Sequence, residues 1–127
     1  MTAEAKTILV VEDDIDALEI LAWLLESAGY EVLPARDGNE ALRALRNRKV
    51  DLILLDMRMP EMDGWQFRDL QRRDPQMAAV PVVVLTGDRR AAEDHEMSRA
   101  AACLRKPIDA ASLLPLVAQC ARARAAP

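Results

Sequence analysis

Leu52-Ile53-Leu54-Leu55-Asp56 is an unbroken apolar run that ends on an acid. A strand with one wet face alternates apolar with polar residues. A run that is apolar throughout has both faces covered, as in the inner strands of a parallel sheet flanked by helices. Four more runs share this character: Ile8–Val11, Val32–Ala35, Val82–Leu85 and a weaker Cys103–Leu104. Helical stretches fall between them. Strand and helix alternating in this way predict an open α/β sandwich with helices on two faces of a parallel sheet.

The helices can be placed from their spacing. In the first, Ala17, Ile20, Leu21, Leu24 and Ala28 recur at helical intervals, and Gly29 supplies a left-handed stop. A second stripe, Ile15, Leu18, Ala22 and Leu25, lies on another side of the same helix. A sheet covers only one face of a helix, so the second stripe is expected to meet a partner. The next helices are expected over Asn39–Arg48, Trp65–Arg73 and Arg89–Ala101. The last is expected to begin near Ser112, which puts Pro115 in the tolerated first turn; a proline further inside costs about 3 kcal/mol.

The chain has 127 residues, 51% hydrophobic and 30% charged, which suits one folded domain over residues 1–127 with a core from about 7 to 124. Net charge is −4 and the basic residues form no dense run, so nothing favours nucleic acid or a membrane surface as partner. No apolar stretch nears the roughly 20 residues of a membrane span, and Met1–Thr7 lacks a signal pattern, so the expected location is cytoplasmic. Cys103 and Cys120 lack metal-ligand spacing and read as reduced, packed residues. His95 is the only histidine, which excludes a histidine-rich metal site. Aromatic residues make up 3%, leaving aliphatic side chains to fill the core.

Ligands of open α/β sheets bind beyond the carboxyl ends of the strands. The residues that follow the apolar runs are Glu12, Asp13 and Asp14; Asp56; Thr86, Gly87 and Asp88; and Arg105, Lys106 and Pro107. Carboxylates from Glu12, Asp13 and Asp56 gathered within a few ångströms would repel by about 4 kcal/mol per pair at an effective dielectric near 20. A hard divalent cation, Mg²⁺ or Mn²⁺, removes that repulsion. Lys106 adds a compact positive charge suited to a phosphate, and Thr86 a hydroxyl donor. A cation, a lysine and a hydroxyl around one aspartate meet the needs of phosphoryl transfer, which is mostly positioning and charge neutralisation. Asp14 reads as a helix cap.

Ile8-Leu9-Val10-Val11-Glu12-Asp13-Asp14 resembles the opening strand of response-regulator receiver domains. Leu54-Leu55-Asp56-Met57-Arg58-Met59-Pro60 with Met62-Asp63-Gly64 resembles their phosphorylation loop, while Val84-Leu85-Thr86-Gly87 and Arg105-Lys106-Pro107 match the switch threonine and the lysine. The resemblance runs over essentially the whole chain. It implies a flavodoxin-like, five-stranded sheet of order 2-1-3-4-5 with five helices. It also implies a place in a two-component phosphorelay: Asp56 takes phosphate from a histidine kinase or histidine phosphotransfer protein, and the chain signals by protein–protein contact. Asp13 and Asp56 would bind Mg²⁺ directly, Glu12 through water, and Arg58 through its backbone carbonyl. Lys106 would pair with the phosphate next to a cis Lys106–Pro107 bond, and Gly87 would leave room for the donor.

The chain departs from the family pattern in three ways. Cys103 stands where a switch Tyr or Phe is usual. The stretch from Thr86 to Lys106 is about two residues short, with Ala100-Ala101-Ala102 in place of the usual Gly-Ala turn. Arg58 and Asp88 occupy the two positions that flank the water path to the acyl phosphate, and are expected to pair across its mouth. The donor face is expected at Ile15, Leu18, Leu25 and Pro107.

Two rivals remain. A receiver-like module that signals without phosphorylation fits Cys103 but leaves the intact acids and lysine unexplained. A haloacid-dehalogenase-like, Mg²⁺-dependent phosphatase needs a second Asp where Arg58 stands and a nucleophile on the first strand, so a regulatory phosphoacceptor is expected over an enzyme. With Pro127 last and no output domain before it, the expectation is either a stand-alone receiver or a piece of a longer protein.

Overall fold

Two sets of alternating side chains decide the architecture of this computed structural model, which describes residues 5–57, 62–87 and 100–125. The strands are β1 (Thr7–Val11), β2 (Glu31–Ala35), β3 (Leu52–Asp56), β4 (Val82–Thr86) and β5 (Ala102–Arg105). They form one parallel sheet in the order β2-β1-β3-β4-β5. Leu9, Val11, Ile53, Leu55, Val82 and Val84 pack on one face, against the helices α2 (Gly38–Asn47), α3 (Gly64–Arg73) and the single turn α4 (Pro75–Ala78). Ile8, Val10, Leu52, Leu54, Val83 and Leu85 pack on the other, against α1 (Ile15–Ser27) and α5 (Ala110–Ala125). Every residue of β1, β3 and β4 is buried, the apolar runs as their composition requires and the terminal Thr7, Asp56 and Thr86 with them. This is the expected five-stranded, flavodoxin-like sheet, with five helices among the described residues.

The face of α1 differs from expectation. Leu18, Leu21 and Leu25 enter the core, so the buried line runs between the two stripes and takes residues from each. Leu18 and Leu25 are therefore packing residues and leave the donor face. Ile15, at the first helical position, overhangs the sheet end and is 47% exposed; Ile20 and Trp23 point outward at 58% and 67%. The helix stops as its glycine requires. Gly29 has φ +96°, its N–H reaches Glu26 O at 3.0 Å, and Tyr30 N–H reaches Leu25 O at 3.1 Å.

α5 starts earlier than Ser112. Asp109 caps it, its Oδ1 accepting Ser112 N–H at 2.8 Å while its carbonyl accepts Leu113 N–H at 3.0 Å. Pro115 is thus inside the helix. It deprives the Ala111 carbonyl of a donor, but both residues lie on the exposed side, where water can replace the bond. α4 arises because Asp74 caps a turn that Pro75 begins, Oδ1 accepting Gln76 N–H at 2.9 Å. The helix expected over Arg89–Ala101 falls mainly on residues outside those described; Ala100 and Ala101 are described and are not helical.

At the amino edge of the sheet, buried polar groups serve as structural ties. Asp51 Oδ2 accepts Thr7 N–H at 2.8 Å. Gln71, fully buried, donates to the carbonyls of Met77 at 2.8 Å and Val80 at 3.1 Å, and its Oε1 accepts from Arg68 at 2.6 Å.

Candidate functional site

Chain order reverses at β1, whose neighbours are β2 on one side and β3 on the other, so a crevice opens between the carboxyl ends of β1 and β3. Glu12 and Asp13 follow β1 and Asp56 ends β3. Strand register sets their levels, Val11 lying beside Leu55 and Asp56 beside Leu85. One carboxylate oxygen from each of Glu12, Asp13 and Asp56 lies within 4.8 Å of the others. Glu12 is 1% exposed and Asp56 3%, whereas Asp13 is half-buried toward the mouth.

Lys106 reaches this cluster from the end of β5. Its Nζ donates to Glu12 Oε2 at 2.9 Å and stands 3.5 Å from Asp56 Oδ2. The backbone anchors it: Lys106 N–H bonds to Thr86 O at 2.7 Å, and the Lys106–Pro107 bond is cis. Burial alone would lower the pKa of the ammonium. The hydrogen bond to Glu12 and the charges of Asp56 and Glu12 outweigh it, so the pKa is raised above the usual lysine value. Lys106 offsets one of the three negative charges.

The remaining expectations sort cleanly. Asp14 caps α1, Oδ1 accepting from Asp16 N–H at 3.0 Å and Ala17 N–H at 3.2 Å, while its own N–H donates to Glu12 Oε1 at 3.2 Å. Glu12 is thereby fixed at both oxygens. Thr86 is buried at the end of β4. Gly87 is exposed beside Lys106, and among the described residues a methyl group there would meet only Lys106 Cβ, at 4.0 Å. Cys103 pairs with Val84 across the β4–β5 ladder, and alternation puts its side chain on the face of Thr86. Pro107 is exposed. Arg58 and Asp88, the expected gate, lie outside the described residues, as does the Arg58 carbonyl. The pairing of Lys106 with Glu12 was not foreseen: no motif spacing reveals which acid an ammonium will choose.

The chain matches the family model of the response regulator receiver domain over residues 8–118. The regulator GlrR of Escherichia coli K12 is 44% identical over 87 residues, covering 68% of this chain and 19% of GlrR. This chain thus spans only a small part of that relative. PilH of Pseudomonas aeruginosa is 30% identical over 120 residues, covering 87% of this chain and 93% of PilH. The receiver domain of the sensor histidine kinase PA1611 from P. aeruginosa PAO1, solved with a magnesium ion in its active site cleft, superposes with TM-score 0.83. It is 29% identical, over 93% of this chain and 98% of that one. With an acidic cluster at the sheet's switch point and this match along its length, the chain belongs to the response regulator receiver domain family of two-component signalling.

Proposed function

We propose that the chain is a Mg²⁺-dependent phosphoacceptor of a two-component phosphorelay, accepting a phosphoryl group on Asp56 from the phosphohistidine of a histidine kinase or phosphotransfer protein. The observation that carries this reading is three carboxylate oxygens within 4.8 Å of one another, with Lys106 Nζ 3.5 Å from Asp56. The donor set is all oxygen and strongly negative, which fits a hard divalent cation. Asp13 and Asp56 would hold it directly and Glu12 through water, and the cation would neutralise charge on phosphoryl oxygens. Arg58 would add its carbonyl.

The chain's own residues do the rest. A carboxylate nucleophile needs no base: one Oδ of Asp56 forms the O–P bond as the P–N bond to the donor imidazole breaks, and the nitrogen leaves with the electron pair. Lys106, already at the site, pairs with the arriving charge, and the Thr86 hydroxyl donates to a phosphoryl oxygen. Gly87 presents no side chain in the donor's path. Signalling then proceeds through protein contacts in the cytoplasm, with Cys103 in place of the usual switch aromatic. The donor face is Ile15 and Pro107 at the mouth, continued by Ile20 and Trp23 along α1 in place of Leu18 and Leu25.

The test is incubation with Mg²⁺ and acetyl phosphate, read by intact mass. A labile phosphoryl adduct on the wild type that is absent from Asp56→Asn and abolished by chelator is expected. No adduct would overturn the reading and favour the module that signals without phosphorylation.

A further inference from the structure

Met57 follows Asp56 directly, and the first residue of α3 sits on its backbone. A Cβ built on Gly64 would lie 2.7 Å from Met57 Cα, with Met57 Sδ against it as well. Carbon atoms settle at about 3.5–4.0 Å from one another. A thioether can turn aside from such a contact, whereas a Cα cannot without moving the chain. The approach is bonded as well as close, since Gly64 N–H donates to Met57 O at 3.2 Å. Contact and bond both act on Met57 itself, one peptide bond from Asp56. Of the two sides, α3 is the firmer. Asp63 caps it through a reciprocal pair with Gln66, at 2.9 and 3.0 Å, and Phe67, fully buried, seats its first turn in the core. Met57 is held to the sheet by its N–H to Leu85 O at 3.4 Å, longer than an ordinary hydrogen bond.

We propose that Gly64 is a positioning residue for Asp56: its missing side chain lets α3 close on the Met57 backbone, and that contact sets where the Asp56 carboxylate meets the other acids. The inference rests on the site reading above. A side chain at this position presses on Met57, the weaker hold yields, and Asp56 moves with its neighbour. Asp56 has little room for such a shift. Its Oδ2 stands 3.5 Å from Lys106 Nζ, and one of its oxygens lies within 4.8 Å of those of Glu12 and Asp13. In sites that depend on alignment, a misplacement of about 1 Å costs on the order of a hundredfold.

The experiment measures the Mg²⁺ dissociation constant by calorimetric titration, and the thermal midpoint alongside, for wild type, Gly64→Ala and Gln71→Ala. Gly64→Ala is expected to weaken Mg²⁺ binding about threefold to tenfold, within the range of couplings between touching residues. Gln71→Ala loosens the opposite edge of the sheet. It is expected to lower the midpoint while leaving the Mg²⁺ affinity within about twofold of wild type. Unchanged affinity in Gly64→Ala would overturn the proposal, because α3 would then have moved and left Asp56 in place. An equal loss of affinity in Gln71→Ala would overturn it too, since lost stability alone would account for the effect. Should Gly64→Ala fail to fold, Asp63→Ala decides, as it removes the cap that holds Gly64 against Met57 and adds no clash. A weakened Mg²⁺ affinity is expected there, and an unchanged one overturns the proposal. A wild type that binds no Mg²⁺ would instead overturn the site reading itself.

Discussion

Replacing Lys106 by methionine tests whether the acid cluster is held together by that one ammonium. Methionine keeps most of the stem's packing and removes only the charge. A partner removed from a fully buried ion pair costs about 3–5 kcal/mol, because the other charge is left uncompensated. An exposed pair contributes about 0–1 kcal/mol. Here Glu12 is 1% exposed and the Lys106 side chain 32%, so the pair is intermediate and weighted toward the buried limit. About 1–3 kcal/mol is expected, read as a lower urea midpoint at pH 7 in chelator. Saturating Mg²⁺ should shrink the loss to less than half, since a second cation then faces the same carboxylates. The pH dependence follows from the raised Lys106 pKa. Its contribution is complete below the unfolded lysine value near pH 10.4 and is lost as pH rises through the higher folded value, so wild type and variant should converge in strong alkali. An equal loss with and without Mg²⁺, or no loss in chelator, would refute the reasoning.

Gln71→Ala leaves the buried carbonyls of Met77 and Val80 without their donor and should cost about 2–4 kcal/mol, measured by denaturant unfolding, with faster amide exchange around α4. Cys103 is half-buried while Cys120 is buried with its thiol pKa raised by desolvation, so iodoacetamide at pH 8 should modify Cys103 at least about tenfold faster, as peptide mapping would show. Trp23→Ala should leave stability within about 0.5 kcal/mol, because the side chain is 67% exposed, yet slow phosphoryl transfer from a protein donor. Transfer from acetyl phosphate should be unaffected; equal slowing of both would remove Trp23 from the donor face.

The sheet and the site were legible in the sequence because the parallel ladder leaves little freedom. Once five runs pair in parallel, the residues after them must share one edge, and Glu12, Asp13, Asp56, Thr86 and Lys106 could be placed by counting. Helix rotation is less constrained. α1 carries apolar residues around most of its circumference, and which of them the sheet takes depends on how the helix lies across it. Leu18, Leu21 and Leu25 went inward, and Trp23 was overlooked because an isolated aromatic breaks no pattern. Pro115 shows a related limit: cost alone placed it in the first turn, whereas the exposed position of Ala111 made an interior proline tolerable.

The two edges of the sheet treat buried polar groups differently, and the contrast bears on function. At the amino edge, Asp51 holds the Thr7 N–H and Gln71 holds two carbonyls, bonds that close the structure and ask for nothing further. At the carboxyl edge, three acids lie within 4.8 Å of one another, and two of them, Glu12 and Asp56, share Lys106. A sequence selected for stability alone would exchange one of these acids for an amide, which keeps the hydrogen bonds and removes the repulsion. Local rules broken inside an otherwise consistent fold mark places where function outweighs stability. The two apolar layers behind the site supply the rigidity that tolerates this. The folded core thus holds at its carboxyl edge a crowding of acids that stability alone would not select.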